Sequence, residues 1–391
     1  MKYRTVQLGE VATIDRAAAS ETECRTLAYV GLEHIEKGAG HFNTDFRRKP
    51  EALLAAKYRF TPSHILYGKL RPYLNKVALP DFDGVCTTEI LPLLPEPTDL
   101  ERGYLYGVLL SPRFVKWASN SVSGANLPRL DPERLSEYAF AIPDMSEQRR
   151  IAGELAHADR LRRTCRYALE LTDSFLPAAF LELFGDPAGN PFGFGRAQVE
   201  DLFADSRNAA KCGPFGSALK KHEYVASGIP VWTMNNVGAN DFVEDGCLYI
   251  TAQKFEELAA YAAKNDDILV SRAGTVGRMA IVRTKHSQSI IHSNIIRLSL
   301  NHNKILPVYF VALMTWFASR VARLKRGQED AYTFMSTGAL GELQIPLPPV
   351  PLQKQFAGLV DRVERMRAVQ SEALRQAEHL FASLLHRAFI S

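Results

Sequence analysis

The chain has 391 residues and a weak net charge of +4 at neutral pH. Its length suffices for two domains of ordinary size, each with its own core. A hydrophobic content of 46% with 23% charged residues is typical of globular proteins in water, and no apolar run is long enough to cross a bilayer. The charge is smaller than expected of a protein that holds nucleic acid by charge alone. Since no secretory leader is apparent, we predict a cytoplasmic protein without a membrane partner.

Residues 1–143 are predicted to form a first globular domain that is rich in strands. Short β-like runs alternate there with Gly, Pro and Asn, which favour turns. The runs are Val6–Val11, Ala28–Ile35, Ile65–Tyr67 and Ile90–Leu94.

A first long helix is predicted for residues 144–184, with Ser146 as its N-cap. Apolar residues recur three and four positions apart, which favours a seam that a partner helix covers. Pro177 should kink or end this helix near its last turns. The predicted seam residues are Ile151, Leu155, Ala158, Leu161 and Phe175.

A linker, a second domain and a second helix complete the chain. Residues 185–195 contain too much Gly and Pro for a helix or strand interior, so we predict a linker there and a second globular domain over 196–346. A second long helix is predicted for 347–391, and Pro351 suits its first turn. Its predicted seam residues are Phe356, Val360, Val363, Met366, Leu380 and Leu384.

The two halves of the chain repeat each other. An offset of 205 residues, the separation of Gln148 and Gln353, also pairs many apolar positions of the two helices. The strand-like runs of the two globular regions match in the same order, for example Ile65–Lys69 with Ile268–Arg272. We therefore predict an α+β fold with a pseudo-two-fold internal repeat, in which two mixed, strand-rich domains are separated by two long antiparallel coiled-coil helices. The alternative is that both helices are core helices of one larger globule.

Six distinctive segments follow one another along the chain, namely Ile65–Ala78, Ala141–Ala152, Phe184–Gly195, Lys211–Lys221, Ile268–Val282 and Gln344–Ala357. In this order they resemble the specificity (S) subunits of Type I restriction-modification systems, and this resemblance covers essentially the whole chain. The first half departs from the family because nothing in it matches the GPFGS loop of the second half well.

The resemblance implies two target recognition domains that each read one half of an asymmetric bipartite site on double-stranded DNA. The helices would set the gap and dock two methyltransferase (M) subunits, which use S-adenosylmethionine to methylate adenine. Restriction (R) subunits, which use ATP and Mg²⁺, are optional partners. A helix of this length measures roughly 55 Å, more than the roughly 34 Å of one DNA turn, which favours a gapped target.

Three clusters are candidates for DNA contact. Arginine can hold guanine through two hydrogen bonds or pin a phosphate, and glycine lets backbone N–H groups approach DNA. Scaffold glycines and solvated lysines are the alternative interpretation of all three. The candidates are Lys69, Arg71, Tyr73 and Lys76 in the first domain and Lys211, Phe215, Gly216, Ser217, Lys220, Arg272, Gly274, Thr275 and Arg278 in the second.

No catalytic signature was found in the sequence. Neither a GxxxxGK[ST] phosphate loop nor a GxGxxG dinucleotide motif is present. The ten histidines lack acidic or cysteine partners at metal-ligand spacing, and the five cysteines contain no CxxC pair. We therefore expect no catalytic residue, metal site or bound cofactor in this chain. The rival hypotheses are a coiled-coil scaffold without DNA specificity and a self-contained DNA methyltransferase or nuclease with a cryptic site.

Overall fold

The computed structural model describes residues 3–38, 40–42, 57–124, 126–204, 208–215, 218–238, 241–272, 277–322 and 337–389. Its contacts divide the chain into two compact units, Met1–Ala168 with Gln370–Ser391 and Leu169–Val369. Both units are mixed α+β structures. The division runs through both long helices, so each unit contains one part of each helix.

The first unit contains eleven of the described strands and six helices, the last of which continues into the second unit. The strands are β1 (Arg4–Gln7), β2 (Ala12–Ile14), β3 (Ala28–Val30), β4 (Lys57–Phe60), β5 (Ile65–Gly68), β6 (Val77–Ala78), β7 (Gly84–Thr87), β8 (Ile90–Pro95), β9 (Val122–Ser123), β10 (Arg129–Leu130) and β11 (Ala139–Ile142). The helices are α1 (Leu8–Val11), α2 (Glu21–Thr26), α3 (Arg102–Leu110), α4 (Pro112–Asn120), α5 (Pro132–Ser136) and α6 (Met145–Phe184).

The second unit contains the remaining described strands and helices. The strands are β12 (Arg196–Gln198), β13 (Ala210–Cys212), β14 (Ile229–Trp232), β15 (Leu248–Ile250), β16 (Ile268–Ser271), β17 (Met279–Ile281), β18 (Ile290–Ile291), β19 (Ile295–Leu298) and β20 (Gln344–Pro346). The helices are α7 (Ala252–Glu257), α8 (Pro307–Ala322), α9 (Thr337–Gly341) and α10 (Val350–Phe389), which ends in the first unit. Short 3₁₀ helices of the two units are Leu32–His34, Pro72–Leu74, Val199–Leu202, Lys221–Glu223, Met234–Asn236 and Ala259–Tyr261.

The internal repeat is a repeat of sheet topology. A four-stranded sheet has the order β2-β8-β5-β6 in the first unit and β13-β19-β16-β17 in the second. Each unit also has a three-stranded sheet with one parallel pair, β3 with β7 and β14 with β18. Each unit also has a two-stranded antiparallel sheet, β1 with β11 and β12 with β20. The second strand of each sheet comes shortly before one of the long helices. The predicted fold class and its repeat are confirmed.

The central strands of the four-stranded sheets separate two cores in each unit. All residues of β5 and β16 are buried, and successive side chains point to opposite faces of a strand. Ile65 and Tyr67 lie in the core shared with the helices, whereas Leu66 lies in the core under the three-stranded sheet. Ile268 and Leu269 are divided between two cores in the same manner. Both faces of each sheet are covered by a core. This explains why the sequences of β5 and β16 are almost continuously apolar instead of alternating between apolar and polar residues.

The long helices are antiparallel within each unit. In the first unit, Arg387 lies 3.6 Å from Glu154, and Arg166 lies 3.2 Å from Glu378. As the residue number increases along α6, the number of its partner on α10 decreases, so the two helices run in opposite directions. The same order holds in the second unit, where Arg367 pairs with Asp173 at 2.9 Å and the earlier Phe356 packs against the later Phe180.

The residues of the predicted seam are buried in the first turns of each helix, whereas most of those further along are exposed. Ile151, Leu155, Ala158, Phe356, Val360 and Val363 are buried, and Leu384 is half-buried. Four predicted seam residues are instead 42% to 47% exposed, namely Leu161, Phe175, Met366 and Leu380.

A buried arginine explains part of this error. The Arg162 side chain lies 3.9 Å above the ring of Phe381 and forms an ion pair with Asp159. Arg162 and Phe381 are both buried, so the seam continues through a charged residue where the apolar pattern predicted Leu161. The guanidinium is planar and its stem is apolar, which suits it to a packed aromatic face.

Two details of α6 also differ from prediction. Asp144, rather than Ser146, caps the helix, because its Oδ1 accepts a hydrogen bond of 3.0 Å from the Glu147 amide. Pro177 does not end the helix, which continues to Phe184. The turns after Pro177 are held by packing of buried Phe180 and Phe184. The predicted position of Pro351 in the first turn of α10 is confirmed.

A buried glutamine fixes the start of each long helix to its globular region. Gln148 donates hydrogen bonds to the carbonyl oxygens of Asp99 and Pro143, at 3.1 and 3.0 Å, and accepts one from the Glu101 amide at 2.9 Å. Gln353 makes the same three bonds, and each partner is displaced by the repeat offset. Its partners are the Lys304 carbonyl, the Pro348 carbonyl and the Leu306 amide.

We expect Gln148→Leu and Gln353→Leu each to lower the free energy of unfolding by about 2–4 kcal/mol, because buried backbone groups lose their partners. Gln355→Leu is the matched control, since Gln355 is exposed on α10 and should tolerate the change. Urea denaturation of the three variants measures the effect. Equal unfolding midpoints for Gln353→Leu and Gln355→Leu would contradict this role.

Candidate nucleic-acid interface

The candidate residues of the second unit converge at one edge of its four-stranded sheet. Strands β13 and β16 both run antiparallel to β19, which lies between them, so their carboxyl ends reach the same edge. Gly213–Phe215 follows β13 and Arg272 follows β16. Gly213 donates to the Ile295 carbonyl at 3.0 Å, and Arg272 donates through its amide to the Asn294 carbonyl at 2.9 Å. We call the residues Gly213–Phe215, Arg272, Arg278 and Asn294 the second sheet edge.

Phe215 and Arg272 form the centre of the second sheet edge. The Arg272 guanidinium lies 5.2 Å from the centroid of the Phe215 ring, within the range of a cation–π contact. The Phe215 side chain is 60% exposed. An exposed ring beside a cation is suited to stacking on bases or sugars while the cation meets phosphate.

A glycine permits this arrangement. A Cβ atom on Gly213 would lie 2.1 Å from the carbonyl oxygen of His292. Since that neighbour is backbone, any larger residue would displace the segment that carries Phe215.

The other candidates of the second unit have different surroundings. The Lys211 ammonium lies 5.4 Å from the ring centroid of Tyr261. Its charge therefore forms a cation–π contact with an aromatic ring of the same unit. Lys220 and Arg278 are exposed. Four candidates lie outside the described residues, namely Gly216, Ser217, Gly274 and Thr275.

In the first unit, the loop after β5 is held by backbone hydrogen bonds and exposes Arg71 and Tyr73. Arg71 has a left-handed backbone with φ of 51°, which is uncommon for a residue other than glycine, and its amide donates to the Pro128 carbonyl at 2.7 Å. The Lys69 carbonyl oxygen accepts a hydrogen bond of 3.0 Å from the Leu130 amide. Arg71 and Tyr73 are exposed, and the Tyr73 side chain is 53% exposed. We call the segment Lys69–Lys76 the first edge loop.

Lys69 and Lys76 are less accessible than the other two candidates of this loop. Both are half-buried. The Lys76 ammonium donates a hydrogen bond to the Leu32 carbonyl, and burial lowers the pKa of Lys76. Lys76 therefore interacts with its own domain in this structure.

Equivalent edges carry different side chains in the two units. The Lys69 amide donates to the Glu89 carbonyl at 3.0 Å, the counterpart of the bond between Arg272 and Asn294. Glu89 accepts two hydrogen bonds from Arg129 Nε, at 3.1 and 3.2 Å, whereas Asn294 is exposed. The pair of Glu89 and Arg129 was missed by the sequence reasoning. Glu89 and Asn294 are separated by the repeat offset, which was the available signal.

Among the described residues, no group of three or more His, Cys, Asp or Glu side chains is placed to hold a metal ion. Burial lowers the pKa of His292, which lies beside the second sheet edge. The helices in the described ranges include none that is long and apolar enough to span a membrane.

Comparisons with known proteins identify relatives of this chain. Residues 214–378 match the model of a family described as Type I restriction modification DNA specificity domain. The Type I restriction enzyme EcoDI specificity subunit of Escherichia coli is 29% identical over 213 residues, which are 52% of this chain and 46% of that protein. The MjaVIII specificity subunit of Methanocaldococcus jannaschii is 18% identical over 306 residues, 75% of this chain and 71% of that protein. The match thus spans less than half the length of the E. coli relative.

Two solved structures share the fold along almost the whole chain. The Type I restriction-modification system S subunit from M. genitalium has a TM-score of 0.63 at 15% identity, over 100% of this chain and 96% of that one. A chain from a structural study of complex assembly and conformational transition of the type I R-M system has a TM-score of 0.55 at 19% identity, over 99% and 97%. The chain therefore has the fold of the solved M. genitalium S subunit, and its residues 214–378 match the specificity-domain family.

Proposed function

We propose that this protein is the DNA-recognition subunit of a Type I restriction-modification complex. Each unit would read one half of an asymmetric bipartite site on double-stranded DNA. One observation carries this proposal: the same sheet edge occurs in both units, with Arg71 and Tyr73 presented in one and Arg272 and Phe215 in the other. A repeated scaffold with unlike side chains is suited to reading two unlike sequences.

We further propose the division of labour within the chain. Residues 1–143 and 196–346 would be the two target recognition domains, and residues 144–184 and 347–391 would be spacer helices that set the unread gap, with 185–195 as a linker. Weak net charge fits a subunit whose partners neutralise many of the DNA phosphates.

Exposed apolar side chains on the helices support docking of partner proteins. Leu171, Phe175, Met366 and Val369 belong to the second unit, and all four are more than 40% exposed. Exposed apolar side chains of this size are common where proteins bind each other. We propose that two M subunits bind the helices and supply S-adenosylmethionine-dependent methylation, and that R subunits, with ATP and Mg²⁺, are optional partners. This chain would be non-catalytic, would bind no cofactor and would act in the cytoplasm.

Genome-wide mapping of methylated bases tests the proposal. Cells that express this chain with its adjacent methyltransferase are compared with cells that express the methyltransferase alone. We expect a new methylated motif split into two unlike halves. Absence of new methylation, with a soluble complex of both proteins demonstrated, would refute the proposal and favour a scaffold. Methylation or cleavage by the purified chain alone would favour a self-contained enzyme.

A further inference from the structure

Arg166 of α6 links three parts of the first unit. Its guanidinium lies 3.4 Å from a carboxylate oxygen of Glu36, 3.2 Å from one of Glu378, and in contact with His41. Glu378 lies on α10, whereas Glu36 and His41 belong to the globular region. The Arg166 side chain is 25% exposed, so these ion pairs are partly shielded from solvent.

The segment held by Arg166 also supports the first edge loop. The Glu36 amide donates to the His41 carbonyl at 2.9 Å, which closes the turn. Within this turn, the Gly38 amide donates to the carbonyl oxygens of Leu74 and Asn75, both at 3.1 Å. Those two residues follow Tyr73 directly. A continuous path of hydrogen bonds and ion pairs therefore runs from the first edge loop to both long helices.

The charges around Arg166 keep this contact ionic at neutral pH. Burial, followed by the positive charges of Arg163, Arg166 and Arg162, lowers the pKa of His41 to about 4. His41 is therefore neutral at pH 7 and does not compete as a cation for Glu36. Arg163 is itself paired with Asp159, which leaves Arg166 as the arginine that contacts Glu36.

The repeat does not reproduce this link. The residue 205 positions after Arg166 is Ser371, which has no charge. The counterpart of Glu36 is Gly238, since the Gly238 amide donates to the Asp241 carbonyl at 2.9 Å as Glu36 does to His41. Neither counterpart has a side chain that can form the ion pair. The link is therefore a property of the first unit and does not follow from the shared fold.

We propose that Arg166 is a positioning residue that couples the first edge loop to the helix pair and so sharpens reading of one half-site only. This inference rests on the proposed function. Breaking the link should leave the fold intact but let the loop move against the helices, which weakens discrimination between correct and altered bases at that half-site.

The test compares Arg166→Gln with two controls in the full complex with M subunits. Arg160→Gln removes the same charge from an exposed position of α6, and Arg367→Gln breaks the ion pair between the helices of the second unit. For each variant, methylation rates are measured on the wild-type site and on sites with one altered base pair in either half. Glu36→Gln removes the link from its other side and should reproduce the effect of Arg166→Gln.

We expect Arg166→Gln to reduce discrimination at one half-site by about 3- to 10-fold, with the other half-site unchanged and the melting temperature close to wild type. Equal loss at both half-sites, or no loss beyond that of Arg160→Gln, would overturn the inference. Wild-type complex that methylates no bipartite site would instead refute the proposed function, so the two failures are distinguishable.

Discussion

Replacing Phe180 with alanine should lower the free energy of unfolding by about 3–5 kcal/mol, the largest effect that we expect from one substitution. The Phe180 side chain is fully buried. Its ring centroid lies 4.8 to 5.6 Å from the centroids of four other rings, those of Phe184, Phe317, Phe356 and Tyr309. The substitution leaves a cavity among side chains from α6, α8 and α10, which cannot all move inward to fill it.

Phe175→Ala is the matched control for this prediction. Phe175 has the same side chain and lies on the same helix five residues earlier, but it is 47% exposed. It should change the free energy of unfolding by less than about 1 kcal/mol. Urea denaturation followed by circular dichroism compares the two variants. If Phe175→Ala proves as damaging as Phe180→Ala, the seam assigned from the apolar pattern is correct and the observed burial is not.

The second large effect is expected for Arg272→Gln, which should reduce methylation efficiency at the native site by about 10- to 100-fold. Arg272 lies at the centre of the second sheet edge, and its guanidinium also orients the exposed ring of Phe215. Loss of the cation would remove the proposed DNA contact of Arg272 and, at the same time, the cation–π contact that holds the Phe215 ring. The measurement is kcat/KM for methylation by the complex with M subunits, on DNA that carries the bipartite site.

A second arginine of the same unit provides the control. Arg196→Gln makes the same change of charge on β12, which belongs to a different sheet, and Arg196 is exposed. A similar loss of efficiency in both variants would mean that general charge, rather than the second sheet edge, controls DNA binding. Salt dependence refines the result, because loss of one phosphate contact should lower the slope of log affinity against log salt by about one.

The two units share a sheet topology but carry different side chains at the equivalent sheet edges. Glu89 is held by Arg129 in the first unit, whereas its counterpart Asn294 is exposed in the second. The link through Arg166 is likewise confined to the first unit. This difference is expected because buried strands tolerate few substitutions and exposed edges tolerate many.

The sequence by itself determined the repeat, the fold class and the two long helices. These features depend on local periodicity and on matches at a constant offset, such as Gln148 with Gln353, and both can be read along the chain. The family resemblance rested on short segments in a fixed order, which are also local.

Only the tertiary structure decided which side chains meet. Phe215 and Arg272 are 57 positions apart, and their contact follows from the pairing of β13 and β16 with β19, which no local pattern specifies. The burial of Arg162 and the exposure of Phe175 depend on which face of α6 meets α10 and the globular core. An apolar pattern records the hydrophobicity of each position. Which positions are covered is decided by long-range packing, since the energy of burial belongs to the contact and not to the residue alone.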